Sequence, residues 1–187
     1  MLSHDKKRAR KYAPIFKGIL SGESGCSLLD VGLGSGWLAK QIQENYGLSV
    51  EGLDVIDTNT ANIKLQIYDG LHFPFKDRSF DYSLIFATLH HCDDIPAVLK
   101  EASRVSRKGI IIYENLITSK YNKFFELLHD FISNRYKLIN CPYNHKSYKD
   151  WQNTFNQLGL KICHEQRFSE HKLVFTSHRV LWLLRPY

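Results

Sequence analysis

Short apolar runs alternate with amphipathic stretches through the first two-thirds of the chain. The run 27–31 leads into a glycine-rich turn, and 35–46 follows with helical spacing, placing Leu38, Ile42 and Tyr46 on one face. Strands are expected at 48–53, 63–67 and 80–86, then an amphipathic helix over 94–105 with Val98, Leu99 and Ala102 inward. Lys108 and Gly109 precede a fifth strand at 110–113. Strands alternating with helices read as an α/β protein with a parallel sheet. The last third changes character. Residues 121–136 form a helix with a wide apolar stripe of Phe124, Leu127, Leu128, Phe131 and Ile132. A further helix spans 147–158, with Ser147 as its N-cap and Gly159 just past its end, before two late strands at 161–168 and 178–184. The expected architecture is a three-layer α/β sandwich. Its seven-stranded sheet is mostly parallel, with the last strand antiparallel.

The sharpest local signal is the stretch from Leu28 through Asp30, Gly32, Leu33 and Gly34 to Gly36: a strand, three alternating glycines, then a helix. Glycine lets the backbone turn tightly and lets a ligand approach it closely, and the helix beyond offers free N–H groups. Dinucleotide sites use G-x-G-x-x-G, where the third glycine lets helix and strand pack beneath a pyrophosphate. Here that third position is Trp37, which argues against a nicotinamide dehydrogenase. A second signal is Asp54, at the end of the second strand and 18 residues after Gly36. An acid there can accept both hydroxyls of a ribose, or it can simply cap the next turn.

In this order and spacing the chain resembles the class I S-adenosylmethionine (SAM)-dependent methyltransferases, and among them the small methyltransferase type 11-like domains. The first family motif matches 28–36, with Leu33 where a small residue is usual; the second matches 52–54; the third matches 68–81. A block at 86–91 matches the segment after strand four, and 104–109 matches the turn before strand five. The resemblance covers about residues 28–114. It implies a Rossmann-like fold, SAM as cofactor and a methyl acceptor. It also implies roles: Asp30 facing the ammonium of SAM, Gly32, Leu33, Gly34 and Gly36 lining the loop, and Asp54 with Val55 at the ribose. Asp69, Gly70 and Leu71 would lie at the adenine, and Phe86 in the methyl-transfer cleft. Three features depart from the family: the link from Asp54 to strand three is too short for the usual helix, only one glycine stands before strand five, and the chain is short.

With 187 residues, 43% apolar and 24% charged, the chain suits one domain, with the core at about 26–114 and a substrate lid and late strands at about 115–187. No apolar run reaches the roughly 20 residues of a membrane span, no secretory pattern opens the chain, and the four cysteines form no C-x-x-C pair. A cytoplasmic location is the default expectation. The net charge of +6 and the cluster Lys6, Lys7, Arg8, Arg10 and Lys11 suit either phosphate contacts or the solvated face of a first helix; the second reading is preferred.

Methyl transfer needs alignment and, for an oxygen or amine acceptor, a base near neutral pKa. His91, or its neighbour His90, follows strand four at the sheet edge where ligands of such folds bind; each is a base or a pocket wall. Glu114 ends strand five at the same edge and binds an acceptor hydroxyl or caps a loop. His129, Asp130 and Asn134 are either a substrate-facing row or a solvated edge of the 121–136 helix, the second reading preferred; His145 and Tyr148 are further candidate substrate contacts. The aromatic lid Phe124, Phe125, Phe131 and Trp151 points to a small apolar or amphipathic acceptor. The run 90–94 is not read as a metal site, because consecutive residues cannot converge on one ion. Nucleic acid is a disfavoured acceptor: 86–89 lacks the N-P-P-Y pattern, and the similar stretch 140–143 comes after strand five. An RNA methyltransferase and a non-catalytic SAM-fold partner protein remain the alternatives.

Overall fold

The computed structural model describes residues 3–135, 142, 144–171 and 175–187, the side chains of 129–135 excepted. Its seven strands form one sheet in the order β3-β2-β1-β4-β5-β7-β6: β1 Ser27–Val31, β2 Ser49–Asp54, β3 Lys64–Ile67, β4 Phe80–Phe86, β5 Ser106–Leu116, β6 Leu160–His171 and β7 Thr176–Pro186. The first five run parallel, and β7 lies antiparallel between β5 and β6. The expected sheet, with its antiparallel last strand, is the one observed.

Helices cover both faces, so the central strands are apolar throughout. On one face α4 (Ile95–Val105) and α6 (Tyr148–Gln157) bury Val98, Leu99, Ala102, Trp151 and Phe155 against Leu29, Ile85, Ile112 and Trp182. On the other, α1 (His4–Tyr12), a 3-10 turn, α2 (Lys17–Leu20) and α3 (Trp37–Tyr46) cover Leu28, Leu84, Ile111 and Leu181. The cap residues act as the sequence suggests. Asp94 accepts from the Ala97 N–H. Ser147 and Asp150 form a reciprocal capping box, and Gly159 follows α6 in the left-handed region. The remaining helix, α5, spans Lys120–Arg135.

Several expectations need correction. Helix α3 starts at Trp37, not at 35, because Gly36 is left-handed and serves as its N-cap. Gly109 is not in a turn: α4 ends at Val105 and β5 begins at Ser106, and Gly109 sits inside β5, where the Leu184 carbonyl of β7 presses against it. Trp151 is not a lid residue; it is buried against Phe155 and Trp182. The expected loss of the helix between β2 and β3 is observed, since 55–63 carries none.

Leu33 is buried and lies against Gly52, where a Cβ would come within 2.5 Å of its side chain. A methyl group there overpacks the contact and costs about 1–3 kcal/mol. Gly52→Ala is therefore expected to lower the melting temperature, and combining it with Leu33→Ala to cost less than the sum of the single changes. A double-mutant cycle by denaturant titration reads this coupling.

Candidate functional site

The glycine loop leaves β1 and is pinned to the end of β2. Gly32 and Leu33 donate their N–H groups to the Leu53 carbonyl. Gly34 donates to Asp54 Oδ2 at 2.8 Å, and Asp54 Oδ1 accepts from the Val55 N–H at 2.7 Å. Gly34 has a φ of 54°, and a Cβ on it would meet nothing within 4 Å. Its bare backbone thus faces open space, as a cradle for a ligand requires. Leu33 contributes backbone alone to this surface, since its side chain fills the gap at Gly52. The loop 57–61 takes the place of the missing helix: Thr60 donates its N–H to the Ser35 carbonyl, and Trp37 Nε1 donates to Thr60 Oγ1 at 3.0 Å. The indole therefore lies outside the glycine turn. Thr88, which the sequence reading missed, packs its side chain against Gly32.

Asp30 is 3% exposed beside this loop, and no described residue hydrogen-bonds to its carboxylate. Burial, and then the Asp54 charge, push its pKa up to about 7. A carboxylate this poorly partnered suits a cationic ligand group.

The next loop carries Asp69. Its Oδ1 accepts from the N–H groups of Leu71 and His72, and Oδ2 pairs with His72 Nδ1 at 2.7 Å. These bonds from His72 and the Leu71 N–H hold the carboxyl well below the usual range. Gly70 places this loop beside Val55. Val55, Ile56 and Leu71 expose apolar surface around Asp54 and Asp69, a rim suited to a flat heterocycle. The loop is held from behind. Glu101 Oε2 accepts from the Phe73 N–H, and Arg104 donates to the carbonyls of Phe73 and Phe75 and to Glu101 and Asp77. The sequence does not single out Glu101, and it marks Arg104 only as the start of the turn before strand five.

Across the sheet edge, β4 and β5 bring three predicted residues together. Glu114 is 1% exposed. Its Oε1 accepts from the Leu89 N–H at 2.7 Å, and its Oε2 lies 2.8 Å from His90 Nδ1. Burial alone would raise its pKa, but the facing His90, its hydrogen bonds to His90 and Leu89, and the charge of His145 outweigh burial and lower it. An ionised Glu114 can only accept, so His90 Nδ1 carries the proton of this bond. His145 stacks on His90 at 4.7 Å, and His91 stands 4.2 Å from it on the other contact. Asn144 fastens this segment by donating its N–H to the His90 carbonyl and its side chain to the Cys92 carbonyl. His145 also lines a polar cavity of about 400 Å³ with Asn144, Lys146 and Asn153.

Matching this geometry, the model of the "Methyltransferase domain" family fits residues 29–113. The segment 29–113 is similar to that family throughout its length. The chain is 30% identical over 103 residues to O-methyltransferase resE of Aspergillus sclerotiorum, which is 48% of this chain and 39% of that relative. Against sterol 24-C-methyltransferase erg6 of Schizosaccharomyces pombe it is 29% identical over 113 residues, 52% of this chain and 30% of the relative. The chain thus spans well under half the length of these relatives. In fold it is similar to a SAM-dependent methyltransferase structure from Methanosarcina mazei, with a TM-score of 0.66 and 18% identity, covering 92% of this chain and 97% of the other.

The remaining predicted residues fall in different places. Phe86 stacks on Tyr113 at 4.7 Å and touches Tyr12, with the Arg8 guanidinium 5.5 Å above its ring. Helix α1 therefore closes over the end of β4, a role the sequence did not suggest. Three of its basic residues are engaged: Lys6 lies over Trp37, Arg8 over Phe86, and Lys11 pairs with Glu170. Tyr148 donates to Glu165 on β6, away from the lid. The side chains of His129, Asp130, Phe131 and Asn134, and residues Cys141 and Tyr143, lie outside the described residues. Among the described residues no acidic, His and Cys cluster suits a metal.

Glu114 titrates below its ordinary value in the fold, so its ionised form adds stability above the carboxylate range that is lost as pH falls through its folded pKa. Glu114→Gln is expected to lower the melting temperature most at neutral pH, with the gap narrowing below about pH 4, the reference range of a glutamate. Thermal melts across pH read the difference.

Proposed function

We propose that this protein is a SAM-dependent methyltransferase acting on a small-molecule acceptor. The observation that carries this reading is the bare, outward-facing backbone at Gly34, set between the poorly partnered buried Asp30 and the strand-end Asp54. That arrangement suits the amino-acid end and the ribose of one adenosyl ligand. A structure of phosphoethanolamine N-methyltransferase 2 from Haemonchus contortus, holding S-adenosylhomocysteine, shares this fold with a TM-score of 0.66 and 14% identity. That likeness, over 95% of this chain and 53% of the other, supports the same nucleoside here.

On this reading Asp30 meets the ligand ammonium and Asp54 accepts from the ribose hydroxyls. Val55, Ile56, Leu71 and the Asp69 loop pack against the adenine, and Gly32, Gly36 and Gly70 keep the backbone close to it. The cofactor supplies an electrophilic methyl group on a sulfonium. His90 takes the proton that an oxygen or nitrogen acceptor loses, and Glu114 holds its tautomer and stabilises the imidazolium. His91 and His145 wall the acceptor side. The polar cavity at His145 favours an acceptor that carries a polar group. The sheet edge holds no N-P-P-Y type block after β4, which disfavours a nucleobase.

Calorimetry with S-adenosylhomocysteine tests the cofactor site; no binding by the wild-type chain ends this reading. Asp54→Ala is expected to weaken binding at least tenfold, since a hydrogen bond to a charged group is worth about 1.5–3 kcal/mol. A second readout is protons. An Asp30 that titrates near 7 is largely neutral at pH 6 and ionises when an ammonium arrives. Titrations at pH 6 in buffers of different ionisation enthalpy are expected to show proton release that Asp30→Asn abolishes. The acceptor itself is sought by mass spectrometry of cell extract incubated with isotopically labelled SAM.

A further inference from the structure

Over its described side chains, 120–128, helix α5 is turned inside out. The buried residues there are polar: Asn122 donates to the Thr176 carbonyl at 3.0 Å, and Glu126, fully buried, accepts from Asn115. Its exposed residues are apolar: Tyr121 is 60% exposed, Phe124 61% and Leu128 41%, spaced to share one face. An ordinary surface helix does the reverse, and a run of exposed aromatic and aliphatic side chains marks an interaction surface.

Charge selects the partner. Lys120 and Lys123 flank the stripe, and over 120–128 the one acid is the buried Glu126. Helix α1 carries Lys6, Lys7, Arg8, Arg10 and Lys11 against a single Asp5, with Lys7 and Arg10 on the exposed side. The two helices are tied together at the same end of the sheet. Asn115 donates to Glu126 and accepts from Arg179 Nε at 3.0 Å, and Arg179 donates to the Tyr12 hydroxyl at the end of α1. One end of the molecule therefore presents an apolar stripe beside a basic helix, on a chain of net charge +6.

We propose that this end docks on an anionic lipid surface, with Phe124, Leu128 and Tyr121 entering the headgroup boundary and the lysines and arginines meeting lipid phosphates. Aromatic and aliphatic residues on one side and cations around them are what an interfacial helix requires, and each cation near such a surface adds to binding. Phosphates of RNA would satisfy the cations and leave the apolar stripe in water. A second copy of this chain would bring two basic ends together. The surface lies beside the ends of β4 and β5, so docking would set the cleft against the bilayer. It does not depend on methyl transfer, and it is measured without cofactor.

The test is co-sedimentation with phosphatidylcholine vesicles with and without phosphatidylglycerol. Wild-type protein is expected to partition onto the anionic vesicles and to be released by salt. Charge reversal at Lys7, Arg10 and Lys123 is expected to weaken this by more than tenfold, at roughly fivefold per cation. Phe124→Ser with Leu128→Ser is expected to abolish it while leaving the melting temperature and S-adenosylhomocysteine binding unchanged, both positions being on the surface. Failure of the wild type to sediment with anionic vesicles overturns the proposal, as does a Phe124/Leu128 variant that binds like the wild type. So does a doubled mass in sedimentation velocity that the same variant abolishes, or an RNA that binds the wild type more tightly than the vesicles do.

Discussion

The Asp54 carboxylate organises the end of the sheet where the glycine loop sits. It closes β2, takes the Gly34 N–H at 2.8 Å and the Val55 N–H at 2.7 Å, and so joins the glycine loop to the neighbouring strand. Close approach makes that bond reachable: Gly52 has no side chain, Leu33 drops into the space, and the loop settles on the Leu53 carbonyl. The loss of the β2–β3 helix is absorbed in the same neighbourhood, where Asn59 and Thr60 fold back onto the start of α3.

Two buried carboxylates at the same sheet edge are driven in opposite directions. Asp30 is desolvated next to the negative Asp54, and its pKa rises; Glu114 is as buried but faces His90 and a backbone N–H, and its pKa falls. One acid is left beside a like charge and the other holds a histidine, so equal burial gives opposite titration at one sheet edge. Parallel pairing places them: β1, β4 and β5 all end at this edge, and the alternation along β5 sends Glu114 towards α4 and α6 while Tyr113 meets Phe86 on the side of α1.

The lid elements follow a different logic. Helix α1 covers the end of β4 through Tyr12, Arg8 and Lys6, and α5 buries its polar side chains against β5 and β7. Of the apolar stripe foreseen on α5, Phe124 and Leu128 face outward, and Phe131 and Ile132 lie outside the described side chains. Periodicity locates a stripe on a helix; the partner chosen by the opposite face decides which way it points. Asn122 and Glu126 chose the protein, because Thr176 and Asn115 were there to bond them.

Much of this was legible along the chain. Apolar runs bounded by glycine and by Asp94 and Ser147 caps determined the strands, the helices and the alternating order, because local hydrogen bonding and one-residue burial periodicity act over a few residues. The chain also determined the loop from Asp30 to Gly36 and the acids Asp54, Asp69 and Glu114, since a strand–glycine–helix spacing is itself a local constraint. Tertiary structure alone decided that His90, not His91, would meet Glu114, that Trp151 would be core, and that Gly109 would lie inside β5 against Leu184. It alone brought Arg104 behind the Asp69 loop and α1 over Phe86. Those outcomes depend on side chains distant in sequence arriving at the same point, and their contacts exist only once the sheet has closed.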